Sequence, residues 1–175
     1  MLDCIRAGAH LLNISAAIAQ PSTKTEKAIA QALEEAARRG VIVAAAAGNQ
    51  GTLGGTAIIS HPWVIPVAAC DAQGKPLDHS NFGSSIGRRG LCAPGDRIAS
   101  LGSGGKPFTG GGTSAATPFV AGALALLWSE FPKASAAELK LAVLPGRRVS
   151  VVPPLLDAWR AYQSLSMSYS RRTAS

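Results

Sequence analysis

Three stretches of the chain predict an α/β fold built on a mostly parallel sheet. Residues 41–46 form an unbroken apolar run, which is typical of a strand buried on both faces. Residues 21–40, just before it, show the apolar spacing of an amphipathic helix, and residues 11–15 form a shorter apolar run. A strand, a helix and a second strand in this order are typical of a crossover unit between parallel strands. The sequence therefore predicts a mostly parallel sheet flanked by helices.

The helix predicted for residues 21–40 has recognisable ends. Thr23 and Glu26 stand at the spacing of a capping box, in which each side chain bonds to the backbone N–H of the other residue. Gly40 is suited to end the helix because glycine accepts the left-handed conformation common after a last turn. These signals predict a helix of about five turns between two strands.

The later elements follow from similar signals. Residues 64–70 read as a further strand, in which Pro66 predicts an edge position or an irregular ladder, because proline has no backbone N–H. Residues 97–101 predict a short strand. Ser135 and Glu138 predict a capping box at the start of a later helix.

The length of the chain and the composition of its end predict one domain with a tail. A chain of 175 residues is long enough for one hydrophobic core, and we assign residues 1–163 to it. Residues 164–175 are rich in serine and arginine, so we expect them to be disordered.

Charge and hydropathy predict neither a nucleic-acid nor a membrane partner. The formal charge is +7, but the arginine pairs are scattered and no basic run is interleaved with aromatic residues, so a solvated surface explains the charge. The longest uncharged apolar runs, residues 41–48 and 119–128, are too short to span a bilayer. The first residues do not form a signal peptide. We therefore expect either a cytoplasmic protein or a natural chain that begins before Met1.

The sequence gives no sign of a disulfide, a metal or a cofactor. Cys4, Cys70 and Cys92 are odd in number, far apart and without metal-ligand spacing, so we expect buried reduced thiols. Calcium sites need clustered acidic oxygens, and no loop here carries a convincing set.

Residues 110–118 are the strongest candidate for chemistry. Three glycines precede Thr113 and Ser114, and Pro118 lies near the start of a predicted apolar helix. A serine at the start of a helix lies where the dipole stabilises a developing negative charge, so it could be a nucleophile. The alternative is an ordinary helix cap, since serine and threonine are common there.

The run of residues 112–122 decides between these alternatives by resemblance. It reads Gly-Thr-Ser-Ala-Ala-Thr-Pro-Phe-Val-Ala-Gly, and it resembles the serine motif of the subtilisin-like serine proteases, or subtilases. Ala115 stands where the family often has methionine, and Phe119 where it often has histidine. The resemblance implies a subtilisin-like fold, a peptide or protein substrate, and Ser114 as the nucleophile.

A second motif resembles the same family and follows the strand of residues 41–46. Ala46, Ala47, Gly48 and Asn49 match the family's Ala-Ala-Gly-Asn sequence. The resemblance implies that Asn49 donates to the oxyanion together with the Ser114 backbone N–H. It also implies that Ala46, Ala47 and Gly48 form one wall of the substrate pocket.

The opposite wall is implied by residues 11–15, which resemble a family strand ending in serine. By this resemblance, Ser15, Ala16 and Ala17 pair with an extended peptide substrate and line the pocket. The alternative is an ordinary core strand that has no role in binding. Residues 71–83 also resemble bacterial subtilases that process ribosomally made peptides such as cyanobactins.

Two parts of the family's triad are missing. Subtilases carry aspartate, histidine and serine in that chain order, and neither the aspartate motif nor His-Gly-Thr occurs here. We expect structural or surface roles for His10, His61 and His79. The chain therefore resembles the C-terminal half of a catalytic domain, incomplete at its N-terminal side and inactive alone, with apolar surface left exposed. Upstream sequence or a partner chain would supply the histidine and aspartate. The alternative is a degenerate, non-catalytic module that binds a peptide or a partner protein.

Overall fold

A computed structural model of the chain describes residues 1–16, 22–144, 146 and 150–173. The helices are α1 Leu2–Arg6, α2 Thr23–Arg38, α3 Ala57–Ser60, α4 Ser84–Arg89, α5 Thr113–Glu130, α6 Ala136–Val143 and α7 Ala158–Thr173. The strands are β1 Leu11–Ile14, β2 Ile42–Ala46, β3 Ile65–Cys70, β4 Leu91–Pro94, β5 Ile98–Leu101 and β6 Pro107–Gly110.

The sheet confirms the predicted α/β fold. Strands β1 to β4 lie side by side in chain order, and every pairing between them is parallel. Strands β5 and β6 form a separate antiparallel ribbon, which leads directly into α5. Because the four strands are parallel, their carboxyl ends meet at one edge of the sheet, where polar groups can converge.

Each central strand is buried on both faces, as the unbroken apolar runs predicted. Ile42, Ala44 and Val67 belong to a core shared with α5 and α6. Val43 and Ala45, the alternate residues of β2, belong to a second core shared with α2. Alternation along the strand thus places the sheet between two helical layers.

Helix α5 packs across all four strands of this sheet. Ala116, Val120 and Leu124 are fully buried on its inner face. Its outer face exposes Phe119 and Leu126, with 43% and 73% of their surface accessible. A helix that is apolar all round is normally covered on both sides, so this outer face is unusual for a finished domain. Within the described parts of the chain, no helix is long and apolar enough to cross a membrane.

Two local predictions about α2 and β3 need correction. The cap of α2 is Ser22, whose hydroxyl accepts from the Thr25 N–H at 3.2 Å, so Thr23 is already the first helical residue. Pro66 lies in an internal strand, since β3 pairs with both β2 and β4. A strand residue donates to only one neighbour, so proline costs a single ladder bond and an internal position is tolerated. The capping box of Ser135 and Glu138 is confirmed.

The prediction of disorder from Ser164 onward is wrong for residues 164–173. Helix α7 continues to Thr173 because one of its faces is apolar: Ala161 and Leu165 are buried against the rest of the core. The ring of Tyr169 lies 5.6 Å from that of Phe131, so the same face continues for another turn. These apolar residues recur at helical spacing, a pattern that the serine-rich and arginine-rich composition of the segment does not reveal. Residues 174–175 lie outside the described residues.

The cysteines agree only in part with the prediction of buried thiols. Cys70 and Cys92 are buried and free, and burial raises the pKa of the Cys92 thiol to about 12. Cys4 is free but exposed, because it lies on the outer side of the short helix α1.

Candidate active site at the carboxyl ends of the strands

Ser114 is the second residue of α5 and is exposed. The first N–H groups of a helix have no intrahelical partner, so the Ser114 N–H can donate to a ligand. Gly112 immediately precedes the helix with a φ of 85°, and a Cβ there would lie 2.9 Å from the side-chain amide of Asn49. Glycine at this position therefore lets Asn49 approach the start of α5.

Asn49 lies just beyond β2 and is held by the residue before Ser114. Its Oδ1 accepts from the Thr113 N–H at 2.8 Å and from the Thr113 hydroxyl at 3.1 Å. Both of these partners are donors, so they fix the carbonyl end of the Asn49 amide at Thr113. The NH2 end is then directed away from these donors, as a group that donates to a ligand must be.

Thr113 links the two halves of this site, and sequence reasoning gave it no role. It is fully buried, and its hydroxyl also accepts from the Gly48 N–H at 3.2 Å. The Thr117 hydroxyl donates to the Thr113 carbonyl at 2.7 Å. The sequence signal that could have revealed this role was a threonine directly before the candidate nucleophile, because a hydroxyl that is buried there must find hydrogen-bond partners.

Ser15 and Ser114 are 99 positions apart in the chain and exchange two hydrogen bonds. The Ser114 Oγ donates to the Ser15 carbonyl at 3.1 Å, and the Ser15 Oγ donates to the Ser114 carbonyl at 3.0 Å. Asn13 donates to the Ser15 Oγ at 2.8 Å. The structure thus brings the end of β1 to the start of α5. Ala16 follows and is exposed, whereas Ala17 lies outside the described residues.

The three residues before Asn49 lie at the same edge of the sheet. Ala46 and Ala47 are buried, and the Ala47 N–H donates to the Val67 carbonyl at 2.9 Å. Gly48 is also buried and has a φ of 107°. These three residues lie next to Asn49 at the carboxyl end of β2. The prediction that they bind substrate stays a prediction.

The three histidines are not part of this arrangement. His10 immediately precedes β1, at the amino end of the sheet, and its ring lies 5.4 Å from that of Trp128. The His61 Nε2 lies 3.2 Å from Glu34 Oε1. His79 is exposed, and its carbonyl accepts from the Gly51 N–H. The hydroxyl of Ser114 is hydrogen-bonded to a backbone carbonyl instead of an imidazole.

Asn81 is a second residue that sequence reasoning did not assign to the site. It is 6% exposed and bonds to the loop that carries Asn49. The sequence gave Asn81 no role of its own, because its partners are about 30 positions away and only the fold brings them together. The described residues contain no group of three or more His, Cys, Asp or Glu side chains that could hold a metal ion.

Comparison with known proteins shows which family the chain resembles. The model of the subtilase family of peptidases matches residues 2–145. A subtilisin of Bacillus pumilus is 36% identical over 114 residues, a match that covers 65% of this chain and 42% of the relative. Subtilisin E of Bacillus subtilis is also 36% identical over 114 residues, covering 65% of this chain and 30% of the relative. The chain thus spans less than half the length of these curated relatives.

Solved structures agree with the sequence matches. The protease domain of PatA, as an S218A mutant, superposes with a TM-score of 0.80 at 30% identity, covering 94% of this chain and 62% of that one. The prenylagaramide maturation protease PagA gives a TM-score of 0.79 at 29% identity, covering 93% of this chain and 64% of that one. The structural neighbours therefore include cyanobactin maturation proteases, the subgroup that residues 71–83 resemble.

Proposed function

The chain belongs to the subtilase family, and we propose that it carries the nucleophile and the oxyanion hole of a subtilisin-like serine endopeptidase. In this proposal Ser114 is the nucleophile, and the Asn49 amide and the Ser114 N–H are the oxyanion donors. The histidine and aspartate of the triad come from a segment outside this chain. We call the chain together with that segment the active assembly.

The proposed reaction is an acyl transfer through Ser114. The Ser114 Oγ attacks the scissile carbonyl carbon while the external histidine takes its proton, so that a C–O bond forms and the carbonyl oxygen becomes an oxyanion. The Asn49 NH2 and the Ser114 N–H donate to that oxygen. The C–N bond then breaks as histidine gives the proton to the leaving amine, and water hydrolyses the acyl ester by the same steps.

The observation that carries this proposal is the orientation of Asn49. Thr113 occupies the Oδ1 of Asn49 with two donors, at 2.8 and 3.1 Å, and Thr113 immediately precedes Ser114. The donor end of an amide is thereby fixed next to the candidate nucleophile. An ordinary helix cap does not need an asparagine from a distant strand end held in this orientation.

The positions of the histidines support the proposal of an external base. A serine hydroxyl is a weak nucleophile at neutral pH until a base removes its proton. His10 and His61 precede strands and lie at the other end of the sheet, and His79, which follows β3 and accepts from the Gly51 N–H through its carbonyl, is not the acceptor of the Ser114 hydroxyl. The Ser15 carbonyl, which is the acceptor of the Ser114 hydroxyl, is too weak a base to take that proton.

Two exposed features support a missing segment as the partner. Strand β1 pairs only with β2 among the described strands, so its other edge is available to a further strand. Helix α5, which packs on β1, exposes Phe119 and Leu126 on its outer face. The match covers 62% of PatA's protease domain, so the remaining 38% of that domain has no counterpart in this chain.

The proposed substrate is a peptide bound along the end of β1. Backbone groups of residues 15–17 would pair with it, and residues 46–48 would form the facing wall of the pocket, as the family resemblance implies. Ala17 lies outside the described residues, so this part rests on the sequence. The patellamide and prenylagaramide maturation proteases among the structural neighbours favour a ribosomally made precursor peptide.

Labelling with a fluorophosphonate probe tests the proposal. The chain alone is compared with the chain expressed together with the coding sequence that precedes Met1. We expect rapid labelling only in the active assembly, lost in Ser114→Ala and kept in Ser129→Ala, a serine at the other end of the same helix. Labelling that survives Ser114→Ala would reject Ser114 as the nucleophile. Equally rapid, Ser114-dependent labelling of the chain alone would reject the external base.

A second candidate function is a non-catalytic module that binds a peptide or a partner protein. The hydrogen bond from the Ser114 hydroxyl to the Ser15 carbonyl favours it, because the candidate nucleophile is tied to backbone. The same comparison separates the two functions. A degenerate module would bind peptide in the extended form, measured by calorimetry, and would show no Ser114-dependent labelling there.

A further inference from the structure

We propose that Asn81 is a positioning residue of the oxyanion hole, which holds the loop of residues 47–52 so that the Asn49 amide keeps its direction. This inference rests on the proposed role of Asn49. Asn81 does not contact the reacting atoms in this proposal. It acts through the backbone on either side of Asn49.

Asn81 bonds to the loop with its side-chain oxygen, its side-chain NH2 and its backbone N–H. Its Oδ1 accepts from the Gln50 N–H at 3.0 Å, from the Thr52 N–H at 3.1 Å and from the Thr52 hydroxyl at 3.2 Å. Its Nδ2 donates to the Ala47 carbonyl at 3.2 Å and to Gln50 Oε1 at 2.8 Å. Its backbone N–H donates to the Gly48 carbonyl at 2.9 Å.

These bonds enclose Asn49 from both sides in the sequence. Gly48 and Gln50, its two neighbours, are each bonded to Asn81, while the Asn49 side chain itself is bonded to Thr113. A loop fixed at the residues before and after a side chain leaves that side chain few directions. Asn81 therefore holds the backbone, and Thr113 holds the amide.

Asn81 is itself held in place by burial and by its neighbour Ser80. It is 6% exposed, and its neighbour Ser80 is fully buried with a hydroxyl that accepts from the Ala69 N–H of β3 at 3.1 Å. The loop is thereby tied to the end of the strand next to β2. A buried amide with all its groups bonded stiffens its surroundings, because every alternative conformation leaves a buried polar group unpaired.

The Asn81 amide packs tightly against the backbone of Gly48. A Cβ on Gly48 would lie 2.4 Å from the Asn81 Nδ2 and 2.7 Å from Gln50 Oε1. The amide of Asn81 thus lies against bare backbone next to Asn49. Aspartate at position 81 would keep the acceptor oxygens but lose both side-chain donations, so it is the conservative variant for a test.

The first experiment measures the loop in this chain by NMR and needs no catalysis. In Asn81→Ala we expect hydrogen exchange of the Gln50 and Thr52 amides to accelerate by at least about 10-fold, with Asn81→Asp intermediate. The Asn49 side-chain NH2 resonances should also shift and broaden, while amides in β2 and β3 keep their protection. Asp71→Ala is the matched control, because Asp71 Oδ1 also accepts from two backbone N–H groups, those of Gln73 and Lys75, but within its own turn and not in the loop of residues 47–52.

The second experiment measures kcat and KM in the active assembly. We expect Asn81→Ala to lower kcat by about 10- to 100-fold with little change in KM, since a mispositioned oxyanion donor weakens transition-state binding alone. In an Asn49→Ala background, Asn81→Ala should cost less than about 2-fold more, because both changes remove the same interaction. Asn81→Asp should recover part of kcat.

The outcomes separate this inference from the proposed function. If Asn49→Ala leaves kcat unchanged, the proposed oxyanion donor is wrong, and Asn81 has nothing to position. If Asn49→Ala lowers kcat but Asn81→Ala does not, or if the two losses multiply, the positioning role of Asn81 is wrong. Faster exchange at Gln50 and Thr52 with unchanged Asn49 NH2 resonances would also overturn it, since Asn81 would then be only a structural residue of the loop.

Discussion

The two ends of the sheet differ in the side chains that bond to the backbone N–H and carbonyl groups of their loops. At the carboxyl end, short neutral groups on Asn49, Asn81, Thr113 and Ser15 bond to loop backbone and to one another. At the amino end, long cationic side chains bond to carbonyls. Short side chains fix position to within a narrow range, whereas long ones neutralise carbonyl dipoles over a wider area.

At the amino end, Arg89 and Lys140 donate to backbone carbonyls. The Arg89 guanidinium donates to the carbonyls of Ile59, Ser60 and His61 at 3.2, 3.2 and 2.6 Å. The Lys140 Nζ donates to the Trp63 carbonyl and lies 3.8 Å from the centre of the Trp63 ring. Burial lowers the pKa of both side chains, that of Lys140 to about 8, and each lies near another cation.

This difference suggests different roles for the two ends: activity at the carboxyl end and stability at the amino end. The half-buried Arg89 and Lys140 form no salt bridge with a carboxylate among the described residues. Carbonyls and the Trp63 ring face them instead, so we expect their effect to be on stability. The carboxyl end places small groups around an exposed serine. We therefore expect changes at the carboxyl end to affect activity first, and changes at the amino end to affect stability first.

The largest effect is expected for Gly48→Ala at the carboxyl end. The new Cβ would overlap the Asn81 amide at 2.4 Å, at a φ of 107° that disfavours L-residues. We expect kcat of the active assembly to fall by about 100-fold, the loss typical of one oxyanion donor. Steady-state kinetics checks this. Gly40→Ala is the control, since its φ is also positive but its nearest neighbour is the Ala136 Cβ at 3.7 Å.

In Gly40→Ala we expect only a stability loss, of about 1–2 kcal/mol, from the left-handed backbone. Equal losses of kcat in the two variants would contradict the assignment of function to the carboxyl end.

Thr113→Val is expected to have the next largest effect. It leaves the Gly48 N–H unpaired and removes one of the two donors to Asn49 Oδ1. We expect kcat to fall by about 10-fold, together with a stability loss of about 1–3 kcal/mol from the buried unpaired groups. Thr117→Val is the control, an equally buried threonine of the same helix whose hydroxyl bonds only to the Thr113 carbonyl. A kcat loss in Thr117→Val as large as in Thr113→Val would show that Asn49 is not the reason.

Arg89→Met tests the amino end. Removing the guanidinium leaves several carbonyls without their donor, so we expect the free energy of unfolding to drop by about 2–3 kcal/mol. Urea denaturation of the chain measures it, against Arg88→Met, whose Nε donates only to the Ser84 carbonyl. The kcat of the folded active assembly should not change, and a loss there would mean that the two ends are coupled.

The smallest effect is expected for Lys140→Met, as a change in pH dependence. Lys140 has a pKa of about 8 in the folded chain, below the usual 10.5. Between these values the unfolded chain binds more protons, so stability conferred through Lys140 rises with pH. Relative to wild type, the Tm of Lys140→Met should therefore fall by about 2–4 °C from pH 8 to pH 10. Thermal melts followed by circular dichroism test this, with the exposed Lys133→Met as the control; a parallel pH dependence in both would contradict it.

Much of the fold and part of the site could be predicted from local sequence. The buried strands were recognisable because residues 41–46 and 64–70 are apolar without interruption, which reflects helices on both faces. The part of α7 from Ser164 onward was missed because its apolar stripe, which continues from Ala161 through Leu165 and Tyr169, is diluted by serines and arginines. The error came from reading composition where spacing held the signal.

The sequence by itself determined the chemical groups of the site, whereas the tertiary structure decided their partners. Ser114 and Asn49 stand in local motifs: Asn49 directly follows Gly48, and Ser114 lies two residues after Gly112, and both glycines have a positive φ. The bonds of Asn81 to the Asn49 loop and those between Ser15 and Ser114 could not be predicted from sequence, since the partners are about 30 and 99 positions apart. Only the parallel sheet brings strand ends that are distant in the chain to one edge, and hydrogen bonds depend on distance in space.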